Sequence, residues 1–209
     1  MFAFVENLID VFRPHDESQP PVGLLAYYGR YCRQVWPFLL TLMANGLAIA
    51  VVEIMILRFS GALIDMLGAT SQADVWRDDG LFFIGMAAMI VVLRPLLQLV
   101  HDLLVQQAIA PGMTNMIRWQ THRYVLRQSL TYFANDFAGR IASNIIQAAA
   151  SLRDSTVQII DALWFVTVFA IGALSLLGRA DWRLAAPLAA WIVLYVATLA
   201  GFVPRIRKR

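Results

Sequence analysis

The sequence predicts an all-α protein: a polytopic membrane helical bundle of four transmembrane helices with a long cytoplasmic helical hairpin. Three observations carry this. Of the 209 residues, 59% are hydrophobic and the mean hydropathy is +0.62, which is too apolar for an ordinary soluble domain. The apolar residues fall into four blocks of about 20 positions, each able as a helix to cross a hydrocarbon core of ~30 Å. Between the second and third blocks, at 111–155, five arginines (Arg118, Arg123, Arg127, Arg140 and Arg153) break up the hydrophobicity while apolar residues keep recurring at helical spacing. A barrel would need alternating faces instead.

Residues 1–22 form an N-terminal amphipathic segment and linker. Phe2, Phe4, Val5, Leu8, Ile9, Val11 and Phe12 against Glu6, Asn7 and Asp10 give the pattern of a short amphipathic helix over Met1–Arg13, either lying in the membrane interface or frayed as a chain terminus. It has neither the basic start nor the small-residue cleavage site of a signal peptide. Pro14 to Pro21 reads as linker. From residue 23 to 209 the chain is one membrane domain. Gly23–Trp36 sets Tyr27, Tyr28, Tyr31 and Trp36 among Arg30 and Arg33, a composition suited to the headgroup layer, so an interfacial helix is expected to bend into the first span. The spans are placed at about 36–57, 81–102, 156–178 and 184–203, with the coupling hairpin at about 111–155 and a loop at Arg58–Gly80 whose first part, to about Leu67, continues the first helix. Pro95 is expected to kink span two.

Charge sets the orientation. With the N-terminus inside, the cytoplasmic segments hold twelve Lys and Arg against Arg58, Arg77, Arg179 and Arg183 outside. The positive-inside rule therefore places both termini and the hairpin in the cytoplasm. The net charge of +3 belongs to the membrane surface rather than to nucleic acid. Cys32 is the single cysteine, and the three histidines lack metal-ligand spacing, so neither an intrachain disulfide nor a metal site is expected.

Tyr132-Phe133, Gly139 and Ile141, spaced as they are between spans two and three, together with Asp181, Trp182, Arg183 and Leu184 at the start of span four, resemble the first intracellular loop and fourth-span start of the type I transmembrane domain of ABC exporters, the family with fused permease and ATPase halves. Spans, loop lengths and orientation stay in register over about 24–209. Ala134 stands where that family has an acid, with Asp136 two residues later. The resemblance implies a bacterial inner-membrane protein, the N-terminal part of a half-transporter whose hairpin tip is a coupling helix. It implies docking through Tyr132, Phe133, Asp136, Phe137 and Gly139 onto a nucleotide-binding domain, either the protein's own or a separate chain, in a homo- or heterodimer of halves. ATP and Mg belong to that domain. No G-x-x-x-x-G-K-[ST] occurs here, so the chain itself holds no phosphate-cradling loop, no cofactor and no catalytic residue.

Aromatic rings beside a short helix suit a knob that inserts into a partner's groove, and Gly139 is expected to adopt a turn conformation closed to other residues. Glu53, Arg94 and Asp161 are charges inside apolar spans, where each costs a few kcal/mol unless paired or hydrated. They are expected to form either a polar translocation pathway or an interhelical clamp, with Arg94 paired to Glu53. His101 is assigned no chemistry. The alternative to an exporter is a stand-alone, non-enzymatic four-span membrane partner or sensor protein using the same tip.

Overall fold

The computed structural model describes residues 9–13, 19–21, 23–69, 72–134 and 138–207. In chain order these form α1 (Leu24–Cys32), α2 (Trp36–Ala69), α3 (Gln72–Ala88), α4 (Arg94–Leu103), α5 (Ala110–Leu126), α6 (Leu130–Ala134), α7 (Ala138–Gln158), α8 (Val166–Ala180) and α9 (Trp182–Arg207). Wider π turns at Met89–Leu93, Leu104–Ile109 and Ile159–Phe165 join α3 to α4, α4 to α5 and α7 to α8. No strand occurs among the described residues, and the protein is an all-α membrane helical bundle. Three helical stretches, Trp36–Ile64, Gly80–Leu126 and Gly139–Arg179, are long and apolar enough to span a bilayer, and Trp182–Tyr195 is a shorter apolar stretch within α9.

Two π turns have a cause in the sequence. Proline has no N–H and crowds the carbonyl four residues earlier. For Pro95 and Pro111 those carbonyls belong to Val91 and Gln107, and both lie inside the π turns that precede the prolines. The helix widens by one residue per turn and continues instead of breaking. Ile159–Phe165 contains no proline.

One correction concerns the later part of the loop expected at Arg58–Gly80; its first part continues the helix, as expected to about Leu67. Helix α2 continues to Ala69 and α3 already begins at Gln72. Asp74, Asp78 and Asp79 give this stretch the polarity of a loop, but Asp74 lies in the first turn of α3, where an acid favours helix by meeting the positive end of the dipole. A second correction concerns the N-terminus: the described part of the amphipathic segment, Ile9–Arg13, is bend and turn rather than helix, and Met1–Leu8 lie outside the described residues.

The chain divides into two compact units, Met1–Ile49 with Ala87–Phe165, and Ala50–Met86 with Val166–Arg209. In the first, Tyr31, Val35, Leu42, Ile109, Met113, Met116, Ile117, Ala149 and Leu152 form one buried cluster that binds α1, the start of α2, α5 and α7. The elbow between α1 and α2 is closed by Gln34 N–H donating to Tyr31 O at 3.0 Å and Val35 N–H to Cys32 O at 3.1 Å. Pro37, at the second position of α2, needs no partner for a missing N–H there. The N-terminal segment docks on α5: Ile9 is buried, Phe12 meets Trp119 edge to face at 5.0 Å, and Arg13 Nη1 donates to Gln34 O at 3.2 Å.

That docking depends on Gly112. A Cβ built there would lie 2.7 Å from Ile9 Cβ, an atom tied directly to its backbone. Gly112→Ala should therefore push the segment off α5 at a cost of about 1–3 kcal/mol for overpacking. Loss of Phe12 from Trp119, read as a changed emission of a protein retaining Trp119 as its only tryptophan, checks this. An unshifted spectrum and melting point would refute it.

In the second unit α8 and α9 form a tight hairpin about Asp181. The Asp181 carboxylate accepts from Arg183 N–H at 2.9 Å, an N-cap that starts α9 immediately after α8 ends. Phe59 packs against Phe82 at 5.2 Å and Phe83 at 6.0 Å. Leu81, Ile171, Trp191, Val193 and Leu194 are exposed, as side chains facing lipid would be. Hydroxyls inside helices bond their own carbonyls, Ser60 to Ile56 at 3.0 Å and Thr198 to Leu194 at 2.7 Å, which leaves none of these polar groups bare in an apolar setting.

Candidate functional site

The first unit holds two places where chemistry-bearing residues gather. The first is a cavity of about 210 Å³. Leu42, Gly46 and Ile49 of α2 supply one wall, Gln98 and His101 of α4 a second, and Ile160, Asp161, Trp164 and Phe165 of the third π turn the rest. The walls are mostly apolar, with three polar groups converging on the space, the usual build of a small-ligand site.

Its geometry follows from local structure. Asn45, buried in α2, donates from Nδ2 to Leu97 O of α4 at 3.2 Å, tying the two helices one turn from His101. Trp164 Nε1 donates to Met43 O at 2.8 Å, which fixes the π turn against α2. Gly46 leaves the room this needs: a Cβ there would sit 3.6 Å from Trp164 Cδ1, an ordinary contact, so the position tolerates alanine but would lose the cavity to a large side chain. Within this frame His101 Nε2 lies 3.7 Å from Asp161 Oδ2. The His101 side chain is 18% exposed and that of Asp161 42%, so the carboxylate is the member open to whatever enters. Asp102 is engaged on its own helix, accepting from Gln98 Nε2 at 3.2 Å.

Asp161 is therefore placed as a polar group in an apolar cavity, but its neighbour is His101, which sequence reasoning left without a role. The signal was present in α4, where Gln98, His101 and Asp102 put polar side chains at helical spacing in an apolar span. Glu53 falls in the second unit, on α2, and Arg94 in the first, at the start of α4.

The second place is the tip of the hairpin between α5 and α7. Tyr132 and Phe133 lie on α6, 40% and 38% exposed, and meet each other edge to face at 5.5 Å. Ser129, just before α6, accepts Tyr132 N–H through its hydroxyl at 3.4 Å. Ile141 is buried. Asp136 and Phe137 lie outside the described residues. Gly139 departs from expectation: it sits inside α7, and no glycine among the described residues has a positive φ. A Cβ there would meet nothing within 4 Å, so its value is neither a special turn nor a close approach.

Comparison with known proteins gives one informative likeness. A protein of Haemophilus influenzae (strain Rd) described as an uncharacterized ABC transporter ATP-binding protein is 28% identical over 213 residues. The match covers 100% of this chain and 34% of the relative, so the chain spans about a third of that protein's length. No family model matches the sequence, and no solved structure matches it.

Proposed function

We propose that this chain is the membrane-spanning part of an ATP-driven ABC exporter of the inner membrane, with both termini cytoplasmic, that couples ATP hydrolysis in a nucleotide-binding domain outside this chain to export of a substrate. The observation that carries the reading is the likeness to the Haemophilus protein along the whole chain. The spacing of Tyr132, Phe133 and Gly139 supports it further. ATP and Mg would be held by the nucleotide-binding domain, where they supply the driving reaction.

This chain's own contribution is mechanical. Helices α5 and α7 share a buried apolar seam through Ile117, Ala149 and Leu152, so the hairpin resists bending and can act as a lever. Tyr132 and Phe133 offer large apolar area at little rotamer cost and would seat in a groove of the ATPase domain, flanked by Asp136, Phe137 and Gly139. The cavity beside His101 and Asp161 would form part of the path for substrate, with Glu53 and Arg94 as a further clamp or polar lining. Two such halves would make the working unit.

The test uses the protein containing this chain together with its ATPase domain, reconstituted in vesicles. Tyr132→Ala with Phe133→Ala should lower transport per ATP by roughly tenfold or more, the loss of one hot-spot pair, while folding stays intact. Unchanged coupling would remove the docking assignment.

A further inference from the structure

The cavity between α2, α4 and the third π turn leaves two of its polar groups unmatched, while others around it are satisfied within the protein. Asn45 Nδ2 and Trp164 Nε1 each donate to a backbone carbonyl, and Gln98 Nε2 donates to Asp102 Oδ1. The Asp161 carboxylate, by contrast, accepts no hydrogen bond among the described residues. Its ionic neighbour, His101 Nε2, stands at 3.7 Å, outside hydrogen-bond range. His101 Nδ1 is buried and likewise has no partner among the described residues, so no second bond fixes the ring against the carboxylate. Asp161 lies in the apolar stretch Gly139–Arg179, and an acid within a membrane span is expensive unless something matches it.

The size and walls of the cavity decide what could match it. An apolar cavity of about 150 Å³ is enough for benzene, so the 210 Å³ here takes one ring with a short chain. Leu42, Ile49 and Ile160 give aliphatic walls, and Trp164 and Phe165, three and four residues after Asp161, bring two aromatic rings to the same space. A metal ion does not suit it: hard cations take about six or more oxygens, and among the described residues no three His, Cys, Asp or Glu side chains gather. An anion would face the carboxylate, and a neutral apolar molecule would leave it unmatched. A protonated amine supplies both the charge and the N–H donors that Asp161 lacks, and aromatic rings favour a cation at their faces.

We propose that this cavity binds a small organic cation, a protonated amine on an apolar body about the size of one aromatic ring, with Asp161 as its counter-ion and Trp164 and Phe165 as its apolar seat. That such a cation is the cargo rests on the exporter reading; its binding in the cavity does not.

Equilibrium dialysis of the purified intact protein, in neutral detergent at neutral pH and without nucleotide, compares phenethylamine with its near-isosteric neutral counterpart, phenethyl alcohol. The amine is expected to bind roughly tenfold or more tightly than the alcohol, and Asp161→Asn to erase that preference while leaving the alcohol's affinity in place. Gly46→Leu, which fills the cavity, should remove binding of both. The comparison of the two probes on the wild-type protein needs no variant, so it decides the matter even where a variant fails to fold. Equal affinity for amine and alcohol, no binding of either, or an amine preference that persists in Asp161→Asn overturns the proposal. The exporter reading is tested apart from this. An amine preference lost with Asp161 in a protein that shows no ATP-driven transport keeps the site and removes the cargo role, whereas intact coupling through Tyr132 and Phe133 without an amine preference keeps the exporter and removes the site.

Discussion

Gly172→Leu is expected to destabilise the second unit by about 3 kcal/mol or more, the upper range for forcing atoms into a packed contact. A Cβ built at Gly172 would lie 2.0 Å from Ile54 Cδ1 and 2.9 Å from Ile54 Cγ1. Alanine asks Ile54 to turn its terminal methyl away and can be met by a rotamer change. Leucine fills the space into which that methyl would turn, so α8 must back away from α2 within the unit. The close approach of two apolar helices is what a small residue supplies where lipid tails compete for the same surface. A purified protein followed by its thermal midpoint should show a large fall for Gly172→Leu and a smaller one for Gly172→Ala. Adding Ile54→Ala should recover most of the loss in Gly172→Ala, because the clashing carbons are gone. A leucine variant that melts with the wild type would disprove the contact.

Much of this architecture is legible because its causes are local. Apolar blocks of bilayer length, the Tyr and Arg pattern at the elbow, and Asp181 between two apolar runs each mark an element from a few neighbouring residues. Pro95 marks the π turn before it in the same way, and Pro111 acts by the same steric rule. What is not legible depends on rotation of one helix against another. Asp161 and His101 are far apart in the chain, and nothing in either stretch says that their helices turn these side chains toward each other. The π turn at Ile159–Phe165 has no proline to announce it, and its register decides where Asp161 and Trp164 point. The helix that begins at Gln72 is hidden for a different reason: Asp74, Asp78 and Asp79 give it the polarity of a loop.

Asp161→Asn is expected to lower transport by the intact protein on the order of tenfold while costing no more than about 1 kcal/mol of stability. The two effects separate because asparagine keeps the shape and much of the hydrogen bonding of the carboxylate, and because a side chain that is 42% exposed is only partly withdrawn from its surroundings. What asparagine removes is the carboxylate, the one acidic group on a cavity wall it shares with Gln98 and His101, and with it the 3.7 Å contact to His101 Nε2. If the pair acts as a unit, His101→Gln should cause a similar loss, and the double variant should be no worse than either single one. Residues in contact show such coupling, typically 0.5–3 kcal/mol, whereas independent sites add. The cycle therefore has a definite reading. Full transport in both single variants would show that the cavity carries no substrate past these groups. Additive losses would show that His101 and Asp161 act separately, His101 through α4 and Asp161 through the cavity wall. A double variant that matches the singles identifies one polar element built across two helices, with Trp164 and Asn45 as the hydrogen bonds that hold its halves in register.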